Sequence, residues 1–288
     1  MMRRSLRTNM GFALSVAATL WLLPADATMQ QQRAAAGQNA PAPRTADGKI
    51  DFSGVWVGSA AGDLKPDEQG NVTVLSRGRP CHPGQECKPA INFERDSGVR
   101  QRMSPNLPLY KPEFWDKVQD LDVNGNMKDP EIKCYPEGIP RIGAPSKIVQ
   151  TPNEIIFLYQ TKNTFRVIPI DGRDHDPIRS QDLTYYGDSV GKWEGDELVI
   201  DSVGFTSESW LAWPGYFHTN NMRVVERLRR EGNTLTWQAT VHDPAVLMQP
   251  WVVNPVRRNL NPNPKAVLTE DLPCEDRDSE HIVVRERG

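Results

Sequence analysis

Residues 222–242 read MRVVERLRREGNTLTWQATVH, and apolar and polar side chains alternate along most of this stretch. After the turn-like residues 230–233, apolar side chains occupy every second position from Leu235 to Val241. Successive side chains of a β-strand point to opposite faces of the sheet, so this alternation indicates two half-buried strands joined by a turn. We therefore predict an antiparallel hairpin here.

Further strands are predicted where β-branched and aromatic residues lie between Gly, Pro and Asn, namely at residues 50–57, 154–161, 164–170, 189–193 and 197–205. One helix is predicted after Pro112, because Phe114, Val118 and Leu121 recur at helical spacing. Short strands joined by hairpins favour an all-β, mostly antiparallel fold. We expect an up-and-down barrel or a sandwich, with one short helix and long loops.

The composition agrees with this fold class and excludes one class of partner. The chain has 288 residues, of which 38% are hydrophobic, and it contains 24 Pro and 21 Gly. Many short strands require that many turn residues, whereas helical bundles seldom contain them. The formal net charge of −3 argues against binding of nucleic acid through a basic surface.

The N-terminus has the three parts of a secretory signal peptide. Arg3, Arg4 and Arg7 form a basic start, and a mostly apolar stretch at 11–23 precedes Ala-Asp-Ala at 25–27. The apolar stretch is too short to span a bilayer, so we expect cleavage, no membrane insertion afterwards, and a periplasmic or secreted protein. The predicted organisation is a signal peptide at 1–27, a linker at 28–46 and a single β-rich domain at 47–288.

The chain contains four cysteines, Cys81, Cys87, Cys134 and Cys274. In an oxidising compartment an even number of cysteines suggests two disulfides. We favour the pairs Cys81–Cys87 and Cys134–Cys274. A zinc site is the weaker interpretation, because the spacing contains no C-x-x-C pair.

Two sets of motifs resemble known families. Gly54-Val55-Trp56 resembles the Gly-x-Trp of lipocalin-type barrels, in which the tryptophan closes the bottom of the barrel, and this implies a lipocalin-like barrel. A second set resembles a family of secreted bacterial proteins without an established function. That resemblance covers roughly residues 47–274 and implies an exported β-domain but no reaction. Its motifs are CYPEGIPR at 134–141, DGR at 171–173, GDSVGKWEGD at 187–196, Glu226-Arg227, Asp243-Pro244 and Pro250-Trp251.

Glu226 is the carboxylate with the strongest indication of a special role. Counting by two places it on the apolar face of its strand with Val224 and Leu228, while the arginines of that strand take the opposite face. Burial would raise the pKa of this carboxyl towards the range of general acid–base catalysis. The alternative is a structural ion pair with Arg141 or Arg173.

An aromatic segment follows the strand at 197–205 and ends at His218. A segment this aromatic avoids water, so we predict a lid over a barrel mouth or the wall of an apolar pocket. The expected ligand is a small hydrophobic or aromatic molecule. The candidate ligand-binding residues are Trp210, Trp213, Tyr216, Phe217 and Trp193, and Phe205 also belongs to the aromatic segment.

If the protein is an enzyme, we expect a cofactor-independent lyase, isomerase or hydrolase in which His218 and Glu226 share one cavity as base and acid. Arg141 or His175 would bind an anionic or carbonyl oxygen, and Asp188 completes the candidate set. His218 is alternatively a hydrogen-bonded loop histidine, and His175, in a turn, is expected to be solvated. The competing hypotheses are a ligand-binding barrel without turnover and a module whose aromatic loop docks a protein partner.

Residues 187–191, GDSVG, match the G-x-S-x-G pattern of serine hydrolases. That nucleophile requires a strand, a sharp turn and then a helix. Because a second strand is predicted to follow Ser189, we favour a glycine-punctuated β-segment over a Ser189 hydrolase.

Residues 120–131 fit the D-x-[DN]-x-[DN]-G-x5-E pattern of a calcium loop. A helix is predicted before it, but Pro130 and Pro136 prevent a regular helix after it, and Lys128 adds positive charge. A polar loop with Asx turns is the other interpretation. Calcium is the metal that this loop would bind, and no other cofactor is expected. Its oxygen ligands would be Asp120, Asp122, Asn124, Asn126 and Glu131.

Overall fold

The computed structural model describes residues 41–58, 106–212 and 215–274, without the side chains of residues 123–127. The predicted signal peptide, most of the predicted linker, Cys81, Cys87 and Trp213 lie outside these residues. Arg44 already pairs with Ile50 in an isolated bridge and forms an ion pair with Asp196. Ordered contacts therefore begin before the predicted domain start at residue 47.

Short strands dominate the described chain. The helix α1 (Trp115–Lys128) follows a 3-10 turn at Pro112–Phe114. The strands are β1 (Gly54–Gly58), β2 (Lys147–Gln150), β3 (Glu154–Leu158), β4 (Phe165–Pro169), β5 (Asp188–Glu194), β6 (Glu197–Val203), β7 (Trp210–Ala212), β8 (Tyr216–Phe217), β9 (Arg223–Glu231), β10 (Thr234–His242), β11 (Trp251–Val252) and β12 (Val256–Leu260).

The main sheet is a nearly closed up-and-down barrel. Its order is β4-β3-β2-β1-β12-β10-β9-β6-β5, with every neighbouring pair antiparallel, while β11 adds to β10 and β7 pairs only with β8. Nine strands alternate in direction along this path, so β4 and β5 at its two ends run the same way. These two strands lie side by side: a Cβ placed on Gly191 of β5 would come within 2.8 Å of Ile170, just after β4. The prediction of a mostly antiparallel all-β fold is confirmed, and the barrel is the alternative observed.

The β9–β10 hairpin has the predicted alternation. Its register pairs Glu226 with Ala239 and Leu228 with Trp237. The inward positions of both strands are buried, whereas Arg223 and Arg229 on the outer face of β9 are exposed. Gly232 has a φ of +54°, a conformation that glycine adopts without steric cost, and it allows the tight turn between the strands.

The turn end of the barrel is defined by the β5–β6 and β9–β10 turns and the start of β1. Trp56 on β1 is buried there and donates its indole N–H to the carbonyl of Phe52 at 2.9 Å. The guanidinium of Arg230 lies over the Trp56 ring, 5.1 Å from its centroid. Trp56 thus fills one end of the barrel; membership of the lipocalin-type proteins stays a prediction.

The opposite end, the mouth, is covered by the β7–β8 hairpin and α1. Leu121 of α1 contacts this hairpin so closely that a Cβ on Gly215 would come within 2.5 Å of the Leu121 Cβ. Tyr110 stacks on Phe217 with the ring centroids 4.9 Å apart and donates its hydroxyl to the Phe217 carbonyl. The predicted lid of aromatic residues is therefore packed against the mouth rather than extended into solvent.

The predicted helix is confirmed, and Phe114, Val118 and Leu121 pack against the core as its spacing indicates. α1 continues to Lys128, so most of the predicted calcium loop is helical, and the side chains of Asn124 and Asn126 lie outside the described structure. Asp120 forms an ion pair with Lys128, and Glu131 with Arg141. No group of three or more metal-ligating side chains occurs among the described residues. Calcium binding itself stays a prediction.

A disulfide joins Cys134 to Cys274 and ties the C-terminal segment to the barrel. This pairing is the predicted one, and the two Sγ atoms are 2.12 Å apart. The tail is also held by the side chain of Asp271, which accepts the backbone N–H of Lys162 at 2.9 Å. No helix in the described part of the chain is long and apolar enough to cross a membrane.

Candidate functional site

A groove of about 560 Å³ lies at the mouth, between α1 and the β7–β8 hairpin. Four parts of the chain line it: α1 with its preceding turn, β7 with the segment before it, β8 with the residues after it, and the segment after β10. It is lined by Phe114, Lys117, Leu121, Lys128, Ser207, Trp210, Phe217, His218, Thr219, Asn220, Ala245 and Val246.

The lining combines aromatic surface with positive charge. Phe114, Trp210 and Phe217 supply aromatic rings, and Leu121 and Val246 add aliphatic surface. Both charged residues in the lining are lysines, and none of the described residues that line the groove is acidic. Ligand sites are typically concave and mostly apolar with a few polar groups, and this groove has that character.

The aromatic side chains of the groove wall pack against one another. Phe114 meets Phe217 edge-on, with ring centroids 5.9 Å apart. Phe217 also stacks on Tyr110, which lies behind it. Such pairs add about 1 kcal/mol each beyond the burial of apolar area. The wall is thus formed before any ligand binds.

His218 is held in the groove wall by two hydrogen bonds. Its Nδ1 lies 3.0 Å from the Thr219 carbonyl oxygen, and its Nε2 lies 2.9 Å from Ser209 Oγ. A carbonyl can only accept, so Nδ1 carries the proton, and neutral Nε2 accepts from the Ser209 hydroxyl. Burial lowers the pKa of His218, against the opposing effects of the Thr219 carbonyl and the Asp243 carboxylate. The ring is therefore neutral, with both nitrogens engaged.

Asp243 anchors the segment that carries this histidine. Its buried carboxylate accepts the backbone N–H of Thr219 at 2.6 Å and the Thr219 hydroxyl at 2.9 Å. Asp243 thus acts on His218 through Thr219 and does not contact the imidazole by hydrogen bonding. The arrangement fixes the orientation of the ring at the groove.

Ser209 was not predicted from the sequence. It is buried behind His218 and is not among the residues that line the groove. A Cβ on the nearby Gly138 would approach Ser209 Oγ to 2.7 Å, so that position admits only glycine without rearrangement. A serine nine residues before a histidine, with an irregular hairpin between them, has no sequence signature.

Glu226 lies in a second place, inside the barrel. Its carboxylate is completely buried and forms a two-point ion pair with Arg166 of β4, with Nη1–Oε1 3.0 Å and Nη2–Oε2 2.7 Å. The indole N–H of Trp237 donates to the same Oε1 at 2.9 Å. The prediction that Glu226 faces the interior is confirmed. The expected partner was wrong, because Arg141 and Arg173 pair with other carboxylates and Arg166 takes this position.

Arg166 connects this pair to the neighbouring strands. It donates to Ser189 Oγ of β5 at 3.0 Å, to Ser202 Oγ of β6 at 3.4 Å and to the Tyr159 hydroxyl at 3.3 Å. The Nε of Arg166 is buried and has no hydrogen-bond partner among the described residues. The guanidinium thus bridges β4 and β5, where no backbone pairing joins the described strands.

Ser189 sits within β5 and not at a strand-to-helix turn, as the preferred interpretation of GDSVG requires. Its hydroxyl lies 2.8 Å from the Ser202 hydroxyl and also accepts from Arg166. Among the described residues no histidine contacts it. The local structure is a β-segment, and it lacks the general base of a serine hydrolase.

Arg141 belongs to a third cluster, near the disulfide. It makes a two-point ion pair with the buried Asp129, both distances being 2.7 Å, and a further one with Glu131. Burial, followed by the nearby Glu131 carboxylate, raises the pKa of Glu137 to about 7. Arg141 is thus already engaged by two carboxylates and does not line the groove.

His175 and Asp188, both predicted site residues, lie together on the outer side of β5. His175 Nδ1 is 3.0 Å from Asp188 Oδ2, and Nε2 is 3.6 Å from Asp201. His175 is part of the β4–β5 connection, and its side chain is 23% exposed, which is less than expected for a solvated histidine. This pair holds the connection to the barrel wall.

The structure brings some predicted site residues together and separates others. Trp210, Phe217 and His218 share the groove, whereas Glu226 does not line it and has no hydrogen bond to His218 in the described chain. Tyr216 is buried beside Tyr110, with ring centroids 6.3 Å apart. Trp193 stacks on Phe52 with the ring centroids 5.7 Å apart. This pair lies at the turn end of the barrel and not at the groove.

In comparisons with known proteins, no family model, no curated protein and no solved structure matches this chain. The geometry of the groove is therefore the basis for assigning a function.

Proposed function

We propose that this protein is an exported β-barrel that binds a small hydrophobic or aromatic molecule in the groove at its mouth. The observation that carries the proposal is the wall of aromatic side chains around a volume of about 560 Å³. Such a volume accommodates a molecule of one to three fused or linked rings. The aromatic rings supply apolar contact, and the polar side chains at the edge orient the ligand.

Export is supported by two independent features. The N-terminal residues have the pattern of a secretory signal, and the disulfide Cys134–Cys274 is of the kind that persists in oxidising compartments. The resemblance of the GDSVGKWEGD motif to a family of secreted bacterial proteins points the same way. These features together support a periplasmic or secreted location.

Binding is better supported than acid–base catalysis. Glu226 is held by Arg166 and Trp237 inside the barrel, and both imidazole nitrogens of His218 are engaged. A general base needs a nitrogen free to meet the substrate proton. The groove contacts instead suit recognition by shape and apolar surface.

The proposal is tested with N-phenylnaphthylamine, a neutral aromatic probe whose fluorescence rises in apolar surroundings. We expect saturable binding at one site, which Ser207→Trp weakens at least tenfold because the new ring fills the groove. Ser207 is exposed at the groove edge, so this change leaves the core intact. Met248→Trp, an exposed position outside the lining, is the matched control and should bind as the unmodified protein does.

The role of Glu226 is tested with the same probe. Glu226→Gln should keep the affinity of the groove, because the carboxylate lies outside it. Absence of saturable binding, or equal binding in Ser207→Trp, would contradict the proposed function. Loss of affinity in a folded Glu226→Gln variant would instead place the ligand inside the barrel.

A further inference from the structure

The groove carries an uncompensated positive charge at Lys117. The ammonium of this exposed side chain lies over the Phe217 ring, 3.7 Å from its centroid. Lys117 forms no ion pair with any described residue, and a contact with an aromatic face leaves the positive charge in place. An anion entering the groove would therefore meet a cation directly beside an aromatic wall.

Lys128 differs from Lys117 in this respect. It forms an ion pair with Asp120, so its charge is already balanced by a carboxylate. Both lysines lie on the groove side of α1, eleven residues apart, which corresponds to about 16 Å along a helix. One small anion cannot reach both, and the geometry favours Lys117.

The wall opposite α1 is neutral and polar. Thr219 and Asn220 line the groove there, and His218 is uncharged because burial lowers its pKa. The Asp243 carboxylate lies behind this wall, and Thr219 donates to both of its oxygens. No described carboxylate lines the groove to repel an anion.

We infer that the ligand is an aromatic acid whose ring packs against Trp210 and the edge of Phe217 and whose anionic group pairs with Lys117. This inference rests on the proposed function and names the chemical class that the groove selects. A neutral molecule of the same shape fills the same volume but leaves the ammonium without a partner. The anionic group therefore determines specificity, and the rings provide most of the affinity.

The test compares two probes that share one aromatic frame. Anilinonaphthalene sulfonate is N-phenylnaphthylamine with an added sulfonate, so the ratio of their dissociation constants isolates the contribution of the negative charge. We expect the anionic probe to bind about fivefold more tightly at low ionic strength, the size of effect measured for exposed ion pairs. The preference should shrink as salt is added, because exposed charges are screened.

Two variants assign the effect to Lys117. Lys117→Gln should bring the ratio of the two dissociation constants close to one, because the cation that distinguishes the anionic probe from the neutral probe is gone. Lys133→Gln removes the same charge from an exposed position outside the groove and should keep the preference. Equal affinity of the two probes, or an unchanged preference in Lys117→Gln, would overturn the inference and leave the proposed function standing. If neither probe binds, the proposed function itself fails.

Discussion

Arg166 of β4 and Glu226 of β9 form a two-point ion pair inside the barrel, although their strands are not neighbours in the sheet. The same guanidinium contacts Ser189 on β5, across the line where the sheet lacks backbone pairing. Burying two charges is costly, and a buried pair stabilises a fold only when its geometry and further hydrogen bonds are good. Here Arg166 links β4 to β5 through Ser189, where the sheet lacks a backbone ladder, and the Glu226 carboxylate balances its charge.

Breaking this pair should be strongly destabilising. Arg166→Met leaves the Glu226 carboxylate buried without its partner, so we expect a loss of about 3–5 kcal/mol in the free energy of unfolding by urea. The double variant Arg166→Met/Glu226→Leu removes both charges and should recover much of that loss. Arg223→Met breaks the exposed pair with Asp201 and should cost less than about 1 kcal/mol. A double variant less stable than Arg166→Met would contradict this account.

The disulfide should contribute substantially to stability. Cys134 and Cys274 are 140 residues apart in sequence, so their bond strongly restricts the unfolded chain. Replacing both by serine should lower the free energy of unfolding by about 2–4 kcal/mol. Thermal unfolding with and without reductant measures this, and the serine variant should show no further response to reductant at this site. No difference between the oxidised and serine forms would mean that the tail is held by its other contacts alone.

Glu137 should make stability depend on pH. Burial, followed by Glu131, raises the pKa of Glu137 from an ordinary 4.5 to about 7 in the folded protein. The folded state therefore binds this proton more tightly than the unfolded chain does. The stability that this proton gives the folded state is fully present below pH 4.5 and is lost as pH rises through 7.

We expect the free energy of unfolding to fall by about 1–2 kcal/mol between pH 5 and 8 from this group, since partial exposure screens part of the effect. Glu137→Gln should flatten that part of the profile, because the amide does not titrate. Measurement of urea unfolding at several pH values checks this. A profile unchanged by the substitution would refute the assignment to Glu137.

His218 should make the stability of the fold depend on pH in the opposite direction. Burial lowers the pKa of His218, so the unfolded chain binds a proton that the folded protein excludes. The stability from this group is present above the ordinary histidine pKa of 6.5 and is lost as pH falls below it. NMR of the imidazole should show a titration midpoint below the ordinary 6.5, with the neutral ring protonated on Nδ1. Ser209→Ala should remove the hydrogen bond to Nε2 and shift that nitrogen's resonance; titration of the ring at its ordinary pKa would contradict the geometry.

The β9–β10 hairpin could be predicted because one face of each strand is buried and the other faces solvent, so apolar and polar residues alternate in the sequence. Glu226 was placed correctly by the same count. β4 gave no such signal, since Phe165 and Val167 on its outer face are as apolar as Ile168 inside, and Arg166 was overlooked for that reason. β12 was missed because its sequence, VRRNL, is mostly polar and only its pairing with β1 and β10 makes it a strand.

The groove could be predicted only in part. The aromatic segment before His218 indicated an apolar site, since rings at this density avoid water. The opposite wall, with Phe114 and Lys117 of the helical region, is about a hundred residues away in the chain, and no local pattern connects the two. Glu226 was joined to His218 because they are close in sequence, yet the strand carries Glu226 into the barrel while His218 stays at the mouth.

The most direct test of the central claim is a crystal structure of the protein with N-phenylnaphthylamine bound. The account predicts density for the probe at the mouth, against Trp210 and Phe217 and facing α1, with Glu226 still paired to Arg166. Density for the probe inside the barrel beside Glu226, or on the outer surface of the sheet, would contradict it.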